Sequence, residues 1–234
     1  MVSNKLRHIT NKIIEPIAKR FQGSRVSPNI ITILGLIIML AASAYTAFAG
    51  AMQLNPIWLL GTLMLLALSG FMDLLDGGVA KFTGQKTKFG GVLDSTVDRY
   101  ADGFMIVALI FGTYLDPVFL PASQASTWGV ILGFLGLVGA YMTSYVRSRA
   151  EIEGVSMAGI GWIERPERLI FLVVGIILEM IIPATGPMFY VFVILTILMH
   201  FTAYQRLRHA YKELKKVDDA AKAANPVPAS DKPN

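Results

Sequence analysis

Apolar side chains along this chain come in long unbroken runs, and charged side chains come in short clusters between them. Residues 26–72 contain no Lys, Arg, Asp or Glu, although a helix needs only about 20 apolar residues in succession to cross a membrane. The runs and their breaks predict six spans, near 29–50, 56–80, 90–114, 127–147, 168–185 and 187–207. Breaks fall at Asn55-Pro56, between Lys81 and Lys88, at Asp116-Pro117 with Pro121, through 149–167, and between Pro183 and Pro187. No internal repeat is evident. The expected fold is an all-α integral membrane protein with six transmembrane helices and an N-terminal amphipathic interfacial helix.

The two ends read differently from the middle. Leu6, Ile9, Ile13, Ile14, Ile17 and Phe21 recur at helical spacing while Lys5, Lys12, Lys19 and Arg20 fall mostly elsewhere, the pattern of a helix lying in the membrane interface. Residues 217–234 are rich in Ala, Asp, Lys and Pro without periodicity, as in a disordered tail. The expected division is an amphipathic helix over 1–23, a transmembrane catalytic domain over 24–213 and a disordered cytoplasmic tail over 214–234. The first 25 residues alternate charge with apolar side chains, so no cleavable signal peptide is expected.

Charge then orients the spans. Of 21 Lys and Arg, six precede the first span, four lie between Lys81 and Arg99, four between Arg147 and Arg168, and seven from Arg206 onward. The three opposite connections carry none, which predicts a multi-pass cell-membrane protein with both termini and the active site cytoplasmic. With 54% hydrophobic and 16% charged residues, the chain is unlike soluble domains, which carry about 25% charged residues. Net charge +5 describes a basic cytoplasmic face for anionic headgroups or a phosphate substrate, and gives no case for nucleic acid. The absence of Cys excludes disulfides and thiolate-held zinc, and His8, His200 and His209 are too scattered to suggest a histidine site. Any metal must be held by oxygen.

Carboxylates inside apolar runs are expensive and default to a functional reading. Asp73 and Asp76 stand at i, i+3 near the end of the second span. Asp94 and Asp98 stand at i, i+4 near the start of the third, and Asp102 continues their face. Both helix ends reach the same side of the membrane, so four carboxylates converge there. Four like charges need cations, one or two divalent ions being the simplest remedy; oxygen-only ligation favours Mg²⁺, Mn²⁺ or Ca²⁺, and four carboxylates on two helices suit a two-metal site. A helix-end charge network with Lys81, Lys86, Lys88 and Arg99 is the competing reading. Gly77, Gly78, Gly90 and Gly91 flank the two pairs, where a missing side chain admits a phosphate, or lets helices pack closely.

The run Asp73-x2-Asp76-Gly77-x2-Ala80-Lys81-x8-Gly90-x3-Asp94-x3-Asp98 closely resembles the signature of the CDP-alcohol phosphatidyltransferase family. One position departs from it, Lys81, where the family usually has Arg; the cation is kept but bidentate phosphate contact is lost. The resemblance implies an integral membrane homodimer in which an alcohol attacks the β-phosphorus of CDP-diacylglycerol or CDP-archaeol and CMP leaves. It implies that Asp73, Asp76, Asp94 and Asp98 hold two Mg²⁺, with Mn²⁺ as the substitute, and that Asp98 is also the catalytic base. Asn29, Ile30, Ile31 and Thr32, in a segment similar to the family's opening of the first span, are implied contacts of the CDP-lipid, with Gly77, Lys81 and Thr87. Without the resemblance, Ser27-Pro28-Asn29 reads only as a helix cap.

Ser144-Tyr145-Val146-Arg147 and Glu164-Arg165-Pro166-Glu167-Arg168 resemble the branch of the family that uses inositol phosphate. Carried over by position, Ser144, Arg147, Arg168 and Arg206 hold the acceptor's phosphate. Glycerol phosphate is the second acceptor to consider, and ordinary positive-inside charge explains any one Arg pair equally well. A cation channel or transporter is the remote alternative, opposed by the position of the Asp at one membrane edge.

Overall fold

A computed structural model describes residues 14–24 and 26–224. Six long helices account for most of them: α1 (Pro28–Ala51), α2 (Leu59–Phe82), α3 (Lys88–Phe111), α4 (Ala122–Ile152), α5 (Arg165–Ile181) and α6 (Pro187–Ala224). The described residues contain no strand.

Helix starts follow local chemistry. Ser27 caps α1 by accepting from the Ile30 amide, with Pro28 in the first turn. The Thr87 hydroxyl accepts from the Gly90 amide at 2.9 Å and opens α3. α5 begins with a reciprocal capping box, Glu164 with Glu167. These three starts, together with the end of α2, carry much of the site described below; α4 and α6 supply Ser144, Arg147 and Arg206.

Helix α1 packs on α2 and α3, while α4 and α5 pack on α6; α3 with α4, and α2 with α5, join the two halves. One core runs through all six helices, including Met39, Leu66, Met105, Ala140, Leu172 and Phe192. Glycines set the closeness of α4 to α6, since a side chain at Gly136 would meet the Phe192 ring at 2.5 Å. Outside this core, Ile37, Met64, Phe111, Phe134, Ile170 and Ile197 are exposed, while Asp76, Arg168 and Arg206 are buried. That inversion of a soluble protein's surface fits a lipid solvent. Four helical segments are long and apolar enough to cross a membrane, Pro28–Ala51, Pro56–Phe82, Ala122–Ile152 and Pro187–Ala220, so the chain is an integral membrane protein. Of the other two expected spans, α3 carries four acidic or basic residues between Asp94 and Asp102, and α5 has 17 residues.

The C-terminal end departs from the sequence reading, and the N-terminal end is described only from residue 14. Leu6, Ile9 and Ile13 of the expected amphipathic stripe lie outside the described residues. Residues 14–19 are helical, and Ile14 and Ala18 are buried against Ile31, Leu75 and Val79. Gly78 makes the notch that admits Ile14, because a Cβ there would lie 2.2 Å from the Ile14 Cγ2. The described part of the stripe therefore packs on protein, and Gly78 serves that packing instead of a phosphate. At the other end α6 continues to Ala224, so the tail expected to be disordered from 214 is helical over 214–224. Ala and Lys are good helix formers, Lys216 pairs with Glu213 at 2.7 Å, and Leu214 packs on Ala150, Val155, Met157 and Ala210. Residues 225–234 lie outside the described part.

Candidate functional site

The site forms where the end of α2 and the start of α3 meet the first turns of α1 and α5. Asp73 and Asp76 are one turn apart on α2, and Asp94, Asp98 and Asp102 follow one another on one face of α3. Carboxylate oxygens of Asp73, Asp94 and Asp98 all lie within 4.8 Å of one another. Asp76, 6% exposed, stands beside this trio and accepts a short hydrogen bond from the Thr32 hydroxyl of α1. The four acids expected to converge do so, three of them in a common cluster.

Two cavities open from the acids. The first, about 580 Å³, is lined by Asn29, Thr32, Asp76, Gly77, Lys81, Thr87, Gly90 and Asp94. Gly77 has open space where a side chain would project. Gly90 lies where a Cβ would approach the Thr87 hydroxyl at 3.0 Å and the Asn29 side-chain amide oxygen at 3.3 Å, so a larger residue there would crowd two side chains of the cavity wall. Two expected members are placed elsewhere. Ile30 points outward at 44% exposure, and Ile31, at 3%, packs in the cluster around Ile14. The step of about 100° per helical residue turns those two away when Asn29 and Thr32 face the cavity.

The second cavity, about 300 Å³, contains all four expected acceptor residues, Ser144, Arg147, Arg168 and Arg206, together with Asp98, Arg99 and Arg165. Its cations are fastened by separate partners. Arg206 is 3% exposed and donates to the Ile160 carbonyl at 2.8 Å and the Thr143 carbonyl at 2.7 Å. Arg168 donates to Asp102 at 2.7 Å, and its buried Nε has no hydrogen-bond partner among the described residues. Arg147 pairs with Glu151 at 3.0 Å. A buried guanidinium needs such partners to offset its desolvation.

Arg165 and Asp102 are the members that sequence reasoning left without a role. Arg165 donates to Asp73 at 2.7 Å and stands 2.8 Å from Asp98 Oδ1. The second contact lacks hydrogen-bond alignment, so Asp98 Oδ1 is buried without a hydrogen-bond donor among the described residues. One signal for Arg165 was available, its place at the first helical position after a Glu164 cap and next to Pro166. A third, apolar cavity of about 580 Å³ runs from Asp73, Asp102 and Arg165 between Met39, Leu66, Leu74, Met105 and Leu169.

A sequence profile of the CDP-alcohol phosphatidyltransferase family matches residues 25–206. The chain belongs to this family. It is similar to archaetidylinositol phosphate synthase of Methanothermobacter thermautotrophicus, 35% identical over 91% of this chain and 95% of that protein. It is also similar to phosphatidylinositol phosphate synthase of Corynebacterium glutamicum, 36% identical over 70% of this chain and 68% of that one. Among solved structures, Mycobacterium tuberculosis phosphatidylinositol phosphate synthase with CDP-DAG bound has a TM-score of 0.66 at 30% identity, covering 86% of this chain and 94% of that one. The same enzyme is also known in complex with manganese and citrate, with a TM-score of 0.65 at 29% identity over 85% and 88% of the two chains.

The chain is thus a transferase of phospholipid biosynthesis, and its family uses divalent metals. The residues present fit such ions. Asp73, Asp94 and Asp98 gather hard oxygen ligands of the kind Mg²⁺ and Mn²⁺ prefer, and the described residues near them offer neither Cys nor His.

Proposed function

We propose that this enzyme transfers a phosphatidyl or archaetidyl group from a CDP-linked lipid to inositol phosphate, releasing CMP. One observation carries the reading: a cavity lined by five arginines and Ser144 opens onto Asp98, while the glycine-lined cleft opens onto Asp76 and Asp94. Such a cavity suits a phosphomonoester that also carries hydroxyls. The names of the relatives support the same acceptor.

In this reading the nucleotide of the donor occupies the cleft, against Asn29, Thr32, Gly77, Lys81 and Thr87. Its pyrophosphate faces Asp73, Asp76, Asp94 and Asp98, which hold the divalent ions, and its lipid tails follow the apolar groove beside Leu74 and Leu169. When bound, the ions neutralise charge on the pyrophosphate and on the departing CMP. Asp98 accepts the proton of the acceptor hydroxyl on its undonated oxygen. The freed oxygen forms a bond to the β-phosphorus, the bond from that phosphorus to the CMP oxygen breaks, and CMP leaves with the bonding pair. Ser144, Arg147, Arg168 and Arg206 hold the acceptor's phosphate so that its hydroxyl reaches Asp98.

The membrane arrangement is part of the proposal. All six helices span, 24–213 is the catalytic domain, and the N-terminal helix lies along the cytoplasmic surface, where both termini and the site face. Loop charge supports this orientation, and the family resemblance supports a homodimer. Purified enzyme given CDP-diacylglycerol or CDP-archaeol with Mg²⁺ is to be offered inositol phosphate, glycerol phosphate, serine and inositol separately, with CMP measured. Release is expected with inositol phosphate. Faster release with glycerol phosphate, or equal use of free inositol, overturns the acceptor assignment.

A further inference from the structure

Arg165 belongs to both sides of the site. Its terminal nitrogen lies between Asp73 and Asp98, at 2.7 and 2.8 Å, two of the three acids whose oxygens gather within 4.8 Å. That nitrogen takes the place between ligands that any cation there would take. The same side chain also lines the arginine cavity beside Ser144, Arg147 and Arg168.

The backbone under it is fixed. Arg165 opens α5 behind the capping box of Glu164 and Glu167. The preceding loop is tied to α6 by the Ile163 amide on the Thr202 hydroxyl at 3.1 Å and by Arg206 on the Ile160 carbonyl. Only rotation about side-chain bonds can then move the guanidinium between acids and cavity. Three neighbouring carboxylates attract a cation, and a guanidinium is permanently charged. A divalent ion brings twice the charge to the same oxygens, and a nitrogen 2.7–2.8 Å from two of them leaves it no room.

We infer that Arg165 is a resident counter-cation of the carboxylate cluster, that a divalent ion displaces it, and that the displaced guanidinium then engages the acceptor's phosphate. The second half rests on the inositol phosphate reading, and the first half does not. Metal and acceptor thereby bind cooperatively through one side chain. Each withdraws Arg165 from the position that obstructs the other, and the coupling is reciprocal.

The test is Mn²⁺ binding to the purified enzyme in detergent, followed by the paramagnetic resonance signal of free Mn²⁺, without lipid substrate and with or without inositol phosphate. Arg165→Gln is expected to bind Mn²⁺ ~10-fold more tightly than wild type, the order by which one adjacent charge shifts an ionic equilibrium. Inositol phosphate is expected to tighten Mn²⁺ binding by at least ~5-fold in wild type, the low end of allosteric couplings, and not in Arg165→Gln. Unchanged Mn²⁺ affinity in Arg165→Gln overturns the displacement. Coupling that persists in Arg165→Gln, as direct attraction between phosphate and metal would give, overturns the handover. Tighter Mn²⁺ binding by Arg165→Gln, with no response of wild type to inositol phosphate, upholds the displacement and overturns the handover, while the acceptor reading beneath it stands or falls by CMP release. Should the Gln variant not fold, Arg165→Lys serves the same test. Its shorter reach is expected to weaken the bridge and raise Mn²⁺ affinity by a smaller factor, and an unchanged affinity there overturns the displacement as well.

Discussion

The first three helices and the last three bring opposite charges to one site, and hold them in opposite ways. Helices α1–α3 supply Asp73, Asp76, Asp94 and Asp98, whose positions follow from helical spacing on α2 and α3; from within that half Thr32 donates to Asp76, and Arg99 stands 3.6 Å from Asp98. Helices α4–α6 supply Arg147, Arg165, Arg168 and Arg206, and two of these are built into the architecture. Arg206 ties the loop before α5 to α4 through two backbone carbonyls, and Arg168 ties α5 to Asp102 on α3. The acids repel one another around the cation of Arg165, whereas Arg168 and Arg206 hold the structure together. Neutralising an acid should therefore remove chemistry and spare the fold, while removing an arginine should affect both.

The largest effect is expected on the acidic half. Asp76→Asn and Asp94→Asn should release no measurable CMP while retaining wild-type yield and thermal stability in detergent, because each change relieves repulsion. Asp76→Asn also keeps an oxygen to accept from Thr32. Wild type in excess chelator should be equally inactive. CMP release at wild-type rate by either variant would remove these acids from the machinery, and a large fall in melting temperature would make them structural instead.

Asp98→Asn sharpens the division within the acids. As the base, it should lose turnover by ~10²-fold or more, the scale of general-base catalysis, and should still bind the CDP-lipid nearly as wild type does in an equilibrium assay. Equal loss of donor binding would reassign Asp98 as chiefly a metal ligand.

The same division explains what could be read from sequence. Asp73, Asp76, Asp94 and Asp98 were legible because helical spacing of charge inside an apolar run has few bland explanations, and because only one short loop separates the two pairs. The six helices were legible from the same runs. Arg165 was not, since its contact to Asp73 joins residues 92 apart in sequence and positive charge at a cytoplasmic helix end is ordinary. Ile30 and Ile31 do not line the cleft, because a resemblance carries over a whole segment, whereas a helix presents only some of its residues to one cavity. The helix over 214–224 was missed because a segment without an apolar stripe was taken as coil, although Ala and Lys favour helix and Leu214 finds a partner surface.

On the basic half the expected effects are smaller and mixed. Arg168→Ala should weaken the acceptor by ~10–100-fold, the equivalent of about 1.5–3 kcal/mol for a charge-assisted contact, with the apparent constant for the donor nearly unchanged. It should also destabilise the fold, since Asp102 is left without its partner. That penalty should fall below the ~3–5 kcal/mol of a fully buried pair, because Asp102 retains 20% exposure. Asp102→Asn added to Arg168→Ala should restore much of the stability and none of the acceptor affinity. Recovery of both together would mean that Arg168 acts only as a structural tie, and that acceptor binding follows from the fold.

The smallest expected effect concerns Lys81, the one acidic-half cation in the cleft that departs from the family's usual residue. Its ammonium lies 4.9 Å from the centre of the Phe82 ring, and it lines the cleft with Gly77 and Gly90. An ammonium presents a point charge to a phosphate, while a guanidinium offers two parallel donors. Lys81→Arg should therefore lower the apparent constant for the CDP-lipid by about 3- to 10-fold, the effect of roughly one additional hydrogen bond, and leave the constant for the acceptor unchanged. Because the substitution keeps charge and aliphatic stem, stability should not move. A weaker donor constant would show that the cleft is fitted to the shorter ammonium. A change in the acceptor constant alone would break the comparison itself, since it would mean that a cation on the acidic half serves the substrate assigned to the other.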